Sequence, residues 1–322
     1  MNHSIIIPTN NDLQELIKLL EVIFKYIGDN NDFEIIVIDS SHMNNDIAIE
    51  NFLSKSYREK LRYFYSPKRL FPGAARNLGI KHATGKYISF LDTKTIPNPE
   101  WFELLNIAVS QNNVGFYGKT IYKPLSITHK IIIASTYGFH QLITLPGTII
   151  NKDHLNKIGF FIPGVRAGED SDWILRSNEL DAKLINQEIA YTSYSGIGEF
   201  NLFYVLKKWY RNYRSARQYS HIKDHKFIYI LCSYIFLIYF AFNWNNVFAK
   251  WDESSIFYIA NVTKIIVFLS VIIYLMYRSF ILPKLKGASN RLIFLGGFLP
   301  ISIVSIFIDL VKIAAFIGPN NK

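Results

Sequence analysis

The chain has 322 residues, of which 50% are hydrophobic, and its formal net charge at pH 7 is +10. That length is enough for one large domain and a smaller appendage. The single cysteine, Cys232, excludes an internal disulfide. The positive charge does not indicate a nucleic-acid partner, because much of it lies beside apolar runs and the sequence contains no recognisable nucleic-acid module.

The first part of the chain alternates apolar runs with helical patterns. Residues 4–8 (SIIIP) and 34–39 (EIIVID) are apolar without alternation, which is typical of strands buried on both faces of a parallel sheet. Between them, residues 12–26 carry leucine, isoleucine and phenylalanine at helical spacing. Because the same order recurs up to a helix at 101–110, we predict an α/β fold with a doubly wound, mostly parallel sheet.

The stretch 73–99 (GAARNLGIKHATGKYISFLDTKTIPNP) predicts a helix, then a buried strand at 87–91 that ends at Asp92. Open α/β sheets bind ligands just beyond the carboxyl ends of their strands, so Asp92 is the first candidate functional residue. No helix is predicted within 115–150, where strand-like pieces alternate with glycine and proline. A helix is predicted for 169–180.

Beyond residue 199 the composition changes. Residues 200–219 mix aromatic and basic side chains, as do amphipathic helices that lie in the lipid headgroup region. Three apolar segments follow, at 227–244, 256–277 and 292–317. Each approaches or exceeds the roughly 20 residues needed to cross a bilayer. We therefore predict a first domain at 1–199, an interface helix at 200–226 and about three transmembrane helices within 227–318.

Charges beside the apolar segments predict the orientation of the chain. The loop before the third segment is basic, with Arg278, Lys284, Lys286 and Arg291. In the loop before the second segment, acidic residues offset the positive charge of the lysine. By the positive-inside rule, we predict a multi-pass protein of the cytoplasmic membrane whose first domain faces the cytoplasm. The absence of a recognisable secretory signal at the N-terminus agrees with this expectation.

Four motifs, taken in order, resemble those of the family 2 glycosyltransferases. They are SIIIPTNND, EIIVIDSS, GAARNLGIKHATGKYISFLD and GEDSDWILR, and the resemblance covers residues 4–217. It implies that residues 1–199 form a GT-A domain, the fold that binds nucleotide-diphospho-sugars. It also implies an enzyme that transfers a hexosyl or related group.

The resemblance assigns the donor side of the site residue by residue. Pro8, Thr9 and Asn10 are expected to line the base and ribose pocket. Asp39 is expected to accept a hydrogen bond from the base or ribose, with capping of the next turn as the alternative. Arg76 is expected near the donor phosphates, with a surface arginine on a helix as the alternative.

The acid motif supplies the expected catalytic residues. Asp170 matches the general base that deprotonates the acceptor hydroxyl, a role typically worth about 10²–10⁴-fold in rate. Glu169 and Asp172 are expected to hold the acceptor or to shift the pKa of Asp170. Arg176 lies where the motif often has an arginine, and pairing with Glu169 or Asp172 is the alternative. An acidic first turn is also favoured by the helix dipole.

The metal motif of the family departs from its usual form. The family places a second Asp two positions after the first, so that the pair holds a divalent cation; here the triplet is Asp92, Thr93 and Lys94. An ammonium group cannot bind Mg²⁺ or Mn²⁺. Either Lys94 contacts the diphosphate itself and transfer depends less on metal, or the site has lost catalysis.

The basic segment after residue 200 has two interpretations. Trp209, Arg211 and Arg214 fall where relatives with membrane tails place an aromatic and basic helix that closes over the diphosphate. Interfacial anchoring is the preferred interpretation, because the match to that motif is loose.

We predict an inverting glycosyltransferase that moves a sugar from a nucleotide-diphospho-sugar to a lipid-linked acceptor, as in surface polysaccharide or glycolipid assembly of the cell envelope. One alternative is a polyprenyl-phosphate monosaccharide synthase. Another is a catalytically silent membrane subunit that binds sugar nucleotide. No nucleic acid is expected among the partners.

Overall fold

The computed structural model describes residues 1–53, 55–180, 183–216 and 226–318, without the side chains of 55, 56, 216 and 226–231. The strands are β1 His3–Thr9, β2 Phe33–Asp39, β3 Leu61–Tyr65, β4 Tyr87–Phe90, β5 Thr95–Pro97, β6 Gly115–Ile121, β7 Leu142–Asn151 and β8 Thr192–Tyr194. The helices are α1 Leu13–Ile27, α2 Asp46–Phe52, α3 Lys55–Arg58, α4 Pro72–His82, α5 Pro99–Ser110, α6 Ile127–Ser135, α7 Lys152–Ile158, α8 Glu169–Asn178, α9 Leu202–Ala216, α10 Lys226–Val247, α11 Val262–Met276, α12 Leu282–Leu285, α13 Asn290–Leu292 and α14 Phe298–Ile317.

The strands form one mixed sheet in the order β3-β2-β1-β4-β7-β6-β8-β5. The first four of these are parallel to one another, whereas β7 is antiparallel to both β4 and β6, and β5 is antiparallel to β8. The predicted α/β class is confirmed, but a mostly parallel sheet describes only the β3-β2-β1-β4 half. Because β1, β2 and β4 are parallel, their carboxyl ends share one edge.

Both faces of β1 are buried, which explains its run of isoleucines. Ile5 and Ile7 pack in the layer formed with α1 and α5, and Ile6 packs in the layer that includes α4. A Cβ at Gly79 of α4 would lie 2.4 Å from Ile6 Cγ2, so the helix backbone rests directly on the strand. This close approach fixes the position of α4 against β1.

Helix α6 was not predicted, because its sequence ITHKIIIAS is rich in β-branched residues that favour strands. A local capping hydrogen bond supports the helix instead. The backbone N–H of His129 donates to the Ser126 side chain at 3.1 Å. Helix α6 then packs against α14, so tertiary contact outweighs strand propensity.

Two helices of the described chain are long and apolar enough to cross a membrane by length and composition, Val262–Leu285 and Asn290–Ile317, with mean hydropathy 2.3 and 2.2. The predicted segment 227–244 is helical within α10, but it begins among residues whose side chains are not described. The structure therefore supports two candidate spans rather than about three. The predicted start at 256 was also wrong, because residues 248–261 form turns.

The apolar helices contact the first domain through α14, which packs on α9 and α6. Polar side chains also contact one another within the apolar helices. Arg278 donates to both oxygens of Asp309 at 2.7 and 3.1 Å, and Lys312 lies 3.5 Å from the same carboxylate. The Lys312 ammonium is also 4.9 Å from the ring centroid of Trp209 on α9. The last apolar helix thus reaches the helix that borders the cavity described next.

Candidate active site

A cavity of about 660 Å³ opens at the edge where β1, β2 and β4 end. Its lining comes from the ends of these strands, from α4, from the start of α8 and from α9. The lining includes Pro8, Thr9, Asn10, Asp12, Ser40, Arg69, Arg76, Asp92, Lys94, Tyr122, Tyr137, Arg166, Glu169, Asp170, Tyr194, Lys208, Trp209 and Arg211. Pro8, Thr9 and Asn10 lie on the cavity wall, and their contact with a base and ribose stays a prediction.

Arg76 joins two carboxylates from distant parts of the chain. Its guanidinium lies 2.8 Å from Asp92 Oδ1 and 2.9 Å from Glu169 Oε1, and the residue is only 3% exposed. Burial opposes its charge, but the charges of Asp92 and Glu169 outweigh burial and raise the pKa of Arg76. The alternative of an arginine on the helix surface is wrong, since this side chain lies inside the ion-pair network.

Glu169 and Asp170 are presented by a sharp turn at Gly168, whose φ of +99° suits glycine. Burial raises the pKa of Glu169 to about 7, against the opposing effect of Arg76 and with the help of the Asp170 charge. Glu169 Oε2 has no hydrogen-bond partner among the described residues. Glu169 is thus a buried carboxyl group with one oxygen paired to Arg76 and the other without a partner in the described chain.

Asp170 faces the cavity from the first turn of α8. Its Oδ1 accepts a hydrogen bond of 2.8 Å from the backbone N–H of Ser171, and Oδ2 has no partner in the described chain. One carboxylate oxygen is thus oriented by the backbone while the other is available to a ligand. Its function as general base stays a prediction.

Asp39 ends β2 but does not line the cavity. It is fully buried and accepts hydrogen bonds from the Ser41 backbone, Asn45 Nδ2 and Tyr63 OH at 2.8, 2.8 and 2.7 Å. The bond from Ser41, two residues on, is the turn-capping arrangement that the sequence left as the alternative. Direct contact between Asp39 and a nucleotide stays a prediction that would require these bonds to open.

Asp172 and Arg176, expected to bind substrate, lie outside the cavity and contact each other. Arg176 lies 2.8 Å from Asp172 Oδ2 and also donates to the backbone carbonyls of Ile158 and Phe160. These contacts tie α8 to the end of α7. The pairing that the sequence offered as the alternative for Arg176 is therefore the one observed, with Asp172 as its partner.

Lys94 lines the cavity between two acidic side chains. Its ammonium lies 2.7 Å from Glu199 Oε1 and 3.4 Å from Asp12 Oδ1. Burial opposes its charge, but the hydrogen bond to Glu199 and the charge of Asp12 raise the pKa of Lys94. Lys94 is thus held as a cation beside Asp92.

The residues around Asp92 do not fit a metal centre held by the protein. Hard cations such as Mg²⁺ and Mn²⁺ take several oxygen ligands, whereas Asp92 Oδ1 already pairs with Arg76. Across the described ranges, no group of three or more His, Cys, Asp and Glu side chains converges in a way that would hold a metal ion. The lysine two positions after Asp92 adds a charge of the wrong sign.

Lys208, on α9, is a cavity residue that sequence reasoning missed. Its ammonium lies 5.0 Å from the ring centroid of Tyr194, 5.5 Å from Phe200 and 5.7 Å from Tyr137. Burial, and then the neighbouring charges of Arg211 and Lys94, lower the pKa of Lys208 to about 8. The sequence showed this lysine only as one of many basic residues near the membrane segments, so nothing local marked it.

More arginines lie along the same side of the cavity. Burial lowers the pKa of Arg166, and the nearby charges of Arg211 and Arg69 lower it further. Trp209 and Arg211 also line the cavity, although interfacial anchoring was the preferred interpretation of this helix. Helix α9 therefore contributes to the wall of the site as well as contacting α14.

The sequence profile described as glycosyl transferase family 2 matches residues 4–171. The chain therefore belongs to this family of glycosyltransferases, and the predicted membership is confirmed. An uncharacterized glycosyltransferase of Rickettsia felis is 29% identical over 204 residues, which cover 60% of this chain and 33% of that protein. The chain thus spans about a third of the length of this relative.

Two further proteins are similar to the chain. The Staphylococcus aureus protein named poly(ribitol-phosphate) beta-N-acetylglucosaminyltransferase TarS is 29% identical over 103 residues, covering 31% of this chain and 17% of that protein. A mannosyltransferase from Pyrobaculum calidifontis, solved in complex with GDP-Man and Mn²⁺, aligns over 99% of this chain and 88% of that one, with a TM-score of 0.56 and 13% identity. At that identity the likeness supports the GT-A fold alone.

Proposed function

We propose that the chain is an inverting glycosyltransferase that transfers a sugar from a nucleotide-diphospho-sugar to a lipid-linked acceptor at the membrane. The observation that carries this proposal is the junction formed by Arg76, Asp92 and Glu169, with Asp170 beside it, inside the cavity of a family 2 domain. The junction brings the end of β4 and the acid motif of α8 to one place, as the reaction requires.

The donor occupies the strand edge of the cavity in this proposal. Its base and ribose lie along Pro8, Thr9 and Asn10, and its diphosphate lies toward Lys94 and Asp92. Sugar transfer then requires a general base on the opposite side of the anomeric carbon from the departing diphosphate. A carboxylate oriented before substrate arrives meets that need with little reorganisation.

Asp170 is the proposed base. Its unpartnered Oδ2 accepts the proton of the acceptor hydroxyl as that oxygen forms the new bond to the anomeric carbon. The bond between the anomeric carbon and the diphosphate breaks, and the nucleoside diphosphate leaves with the bonding electrons. Glu169 positions Arg76 rather than touching the reacting atoms, because Oε1 of Glu169 is bonded to that guanidinium.

The C-terminal helices support a lipid-linked acceptor. Val262–Leu285 and Asn290–Ile317 are long and apolar enough to span a bilayer. Helix α14, within the second of these, packs on α9, and α9 lines the cavity with Lys208, Trp209 and Arg211. An acceptor confined to the bilayer is therefore delivered next to the wall of the site. In this proposal the first domain lies on the cytoplasmic side, which the basic loop 278–291 supports through the positive-inside rule.

The experiment is a turnover assay on membranes that contain the full chain, with a panel of UDP-sugars and GDP-sugars as donors. We expect Asp170→Asn to lower turnover by about 10²–10⁴-fold, because the base is lost. The matched control is Glu179→Gln, which makes the same change at an exposed carboxylate at the end of the same helix. Wild-type turnover by Asp170→Asn would contradict the mechanism. Absence of turnover with every donor would favour the silent-subunit alternative.

A further inference from the structure

The donor side of the cavity carries three cations, of which Lys208 has no role assigned by the family resemblance. Lys94, Lys208 and Arg211 all line it, and Lys94 and Arg211 lie close enough to Lys208 to repel its charge. We infer that these three cations bind the diphosphate of the donor in place of a divalent metal ion, so that the chain binds a nucleoside diphosphate without metal. This inference rests on the proposed function, and it adds how the leaving group is neutralised.

Lys208 supplies the strongest argument. In the described chain its ammonium forms no ion pair, and its one hydrogen-bond contact is Tyr194 OH at 3.5 Å. Aromatic rings stabilise a cation only partly, because their quadrupole attraction is weaker than pairing with a carboxylate. Lys208 is only partly exposed, and a desolvated cation with no carboxylate in contact is costly, so its position in a sugar-nucleotide cavity indicates that a bound anion completes its surroundings.

Lys94 supplies the second argument, because of its position in the family's metal-binding motif. It follows Asp92 by two positions, where the family has the second metal-binding carboxylate. Glu199 and Asp12 hold it in place, and the backbone N–H of Ser195 donates to its carbonyl at 2.8 Å. The position that would bind the metal thus presents a fixed ammonium, and ammonium groups bind phosphate as point charges.

The positive charges of these side chains are enough to replace those of a divalent metal ion. A divalent cation would bring two positive charges to the diphosphate. These charges neutralise the negative charge that builds up as the diphosphate leaves. Lys94 is partly neutralised by Glu199, whereas neither Lys208 nor Arg211 has an ion pair among the residues described. The two unpaired cations therefore supply the charge that the metal would bring, on the side chains of one helix turn.

The test measures binding, by titration calorimetry of the full chain in detergent with UDP and with GDP. Each titration is run once with EDTA and once with Mn²⁺. We expect at least one nucleoside diphosphate to bind with the same Kd in both conditions. Lys208→Met is expected to weaken that binding by about 10–100-fold, as for loss of a charge-assisted contact. Lys208→Arg, which keeps the charge, is expected to retain most of it.

Lys207→Met is the matched control, because Lys207 is the adjacent lysine on α9, is exposed and does not line the cavity. We expect it to bind like the wild type. A second variant, Lys94→Asp, rebuilds the two-carboxylate motif and is expected to need Mn²⁺ for binding. Wild-type binding that disappears in EDTA and returns with Mn²⁺ overturns the inference and leaves the proposed function intact. Failure of both nucleotides to bind in either condition contradicts the proposed function as well.

Discussion

The two walls of the cavity are built in different ways. The strand-end wall, made of Pro8, Thr9, Asn10, Ser40 and Asp92, follows directly from the ends of β1, β2 and β4. Backbone pairing holds it, since β1 is hydrogen-bonded to both β2 and β4, and the N–H of Ser40 donates to the carbonyl of Thr9. Its geometry is therefore a property of the sheet.

The aromatic wall is made of Tyr122, Tyr137, Tyr194, Lys208 and Trp209, which come from separate segments of the chain. Side-chain packing holds it together. Tyr122 and Tyr137 are stacked with ring centroids 4.1 Å apart, and Lys208 lies over Tyr194. Because α9 rests on α14, this wall also depends on the apolar C-terminal helices. One wall is fixed by local backbone structure, and the other by contacts with the helices proposed to lie in the membrane.

The largest effect is expected where the strand-end wall is tied to α8. Arg76→Met leaves Glu169 buried without its partner, which is expected to destabilise the fold by about 3–5 kcal/mol. Thermal unfolding of the full chain in detergent measures this effect. Lys18→Met is the control, because its pair with Glu15 is exposed and such pairs contribute little. An unchanged melting temperature for Arg76→Met would show that the junction does not hold the wall.

The pH dependence of that variant gives a second measurement. In the wild type, burial already raises the pKa of Glu169 to about 7 while Arg76 opposes the rise. Without Arg76 the pKa of Glu169 rises further, so the folded state binds a proton more tightly than the unfolded state. Stability of Arg76→Met is then expected to fall as pH increases from 6 to 8. The double variant Arg76→Met with Glu169→Gln is expected to lose this dependence.

A smaller effect is expected on the aromatic wall, through the charge of Lys208. Burial lowers the pKa of Lys208 to about 8, so the free protein carries this positive charge below that pH and loses it above. Affinity for UDP or GDP, whichever binds, is expected to fall as pH rises through 8 to 9, by at most about tenfold per pH unit for one proton. The measurement is calorimetric Kd from pH 7 to 9. A wild-type affinity with the same pH profile as Lys208→Met would contradict this expectation.

The difference between the walls explains what the sequence could predict. Asp92 was foreseen because it immediately follows a recognisable apolar strand, and strand ends of a parallel sheet meet at one edge. Asn10 was foreseen from the resemblance of the SIIIPTNND motif to the family. Glu169 and Asp170 were foreseen from a contiguous motif. In each case the functional residue lies within a few positions of the pattern that reveals it.

Lys208 and the aromatic side chains around it could not be predicted in this way. Tyr137 follows α6, a helix whose isoleucines read as a strand, and Tyr194 lies in a strand of only three residues. Nothing in either segment indicates that these two tyrosines lie beside Lys208 of α9. The Arg76 pairing with both Asp92 and Glu169, and the hydrogen bonds that Asp39 accepts from Ser41, Asn45 and Tyr63, likewise depend on distances that composition and spacing do not contain.

The smallest expected effect tests whether the aromatic wall depends on the apolar helices. The ammonium of Lys312 on α14 lies over Trp209, and such a contact is worth about 0.5–1 kcal/mol when partly exposed. Lys312→Met is therefore expected to weaken nucleoside diphosphate binding by about 2–5-fold through Trp209, without a comparable change in melting temperature. Lys250→Met, in the exposed turn after α10, is the control. Because Lys312 does not line the cavity but contacts Trp209 on α9, a loss of affinity would support coupling through this helix, and an unchanged Kd would mean that the aromatic wall holds its shape without this contact.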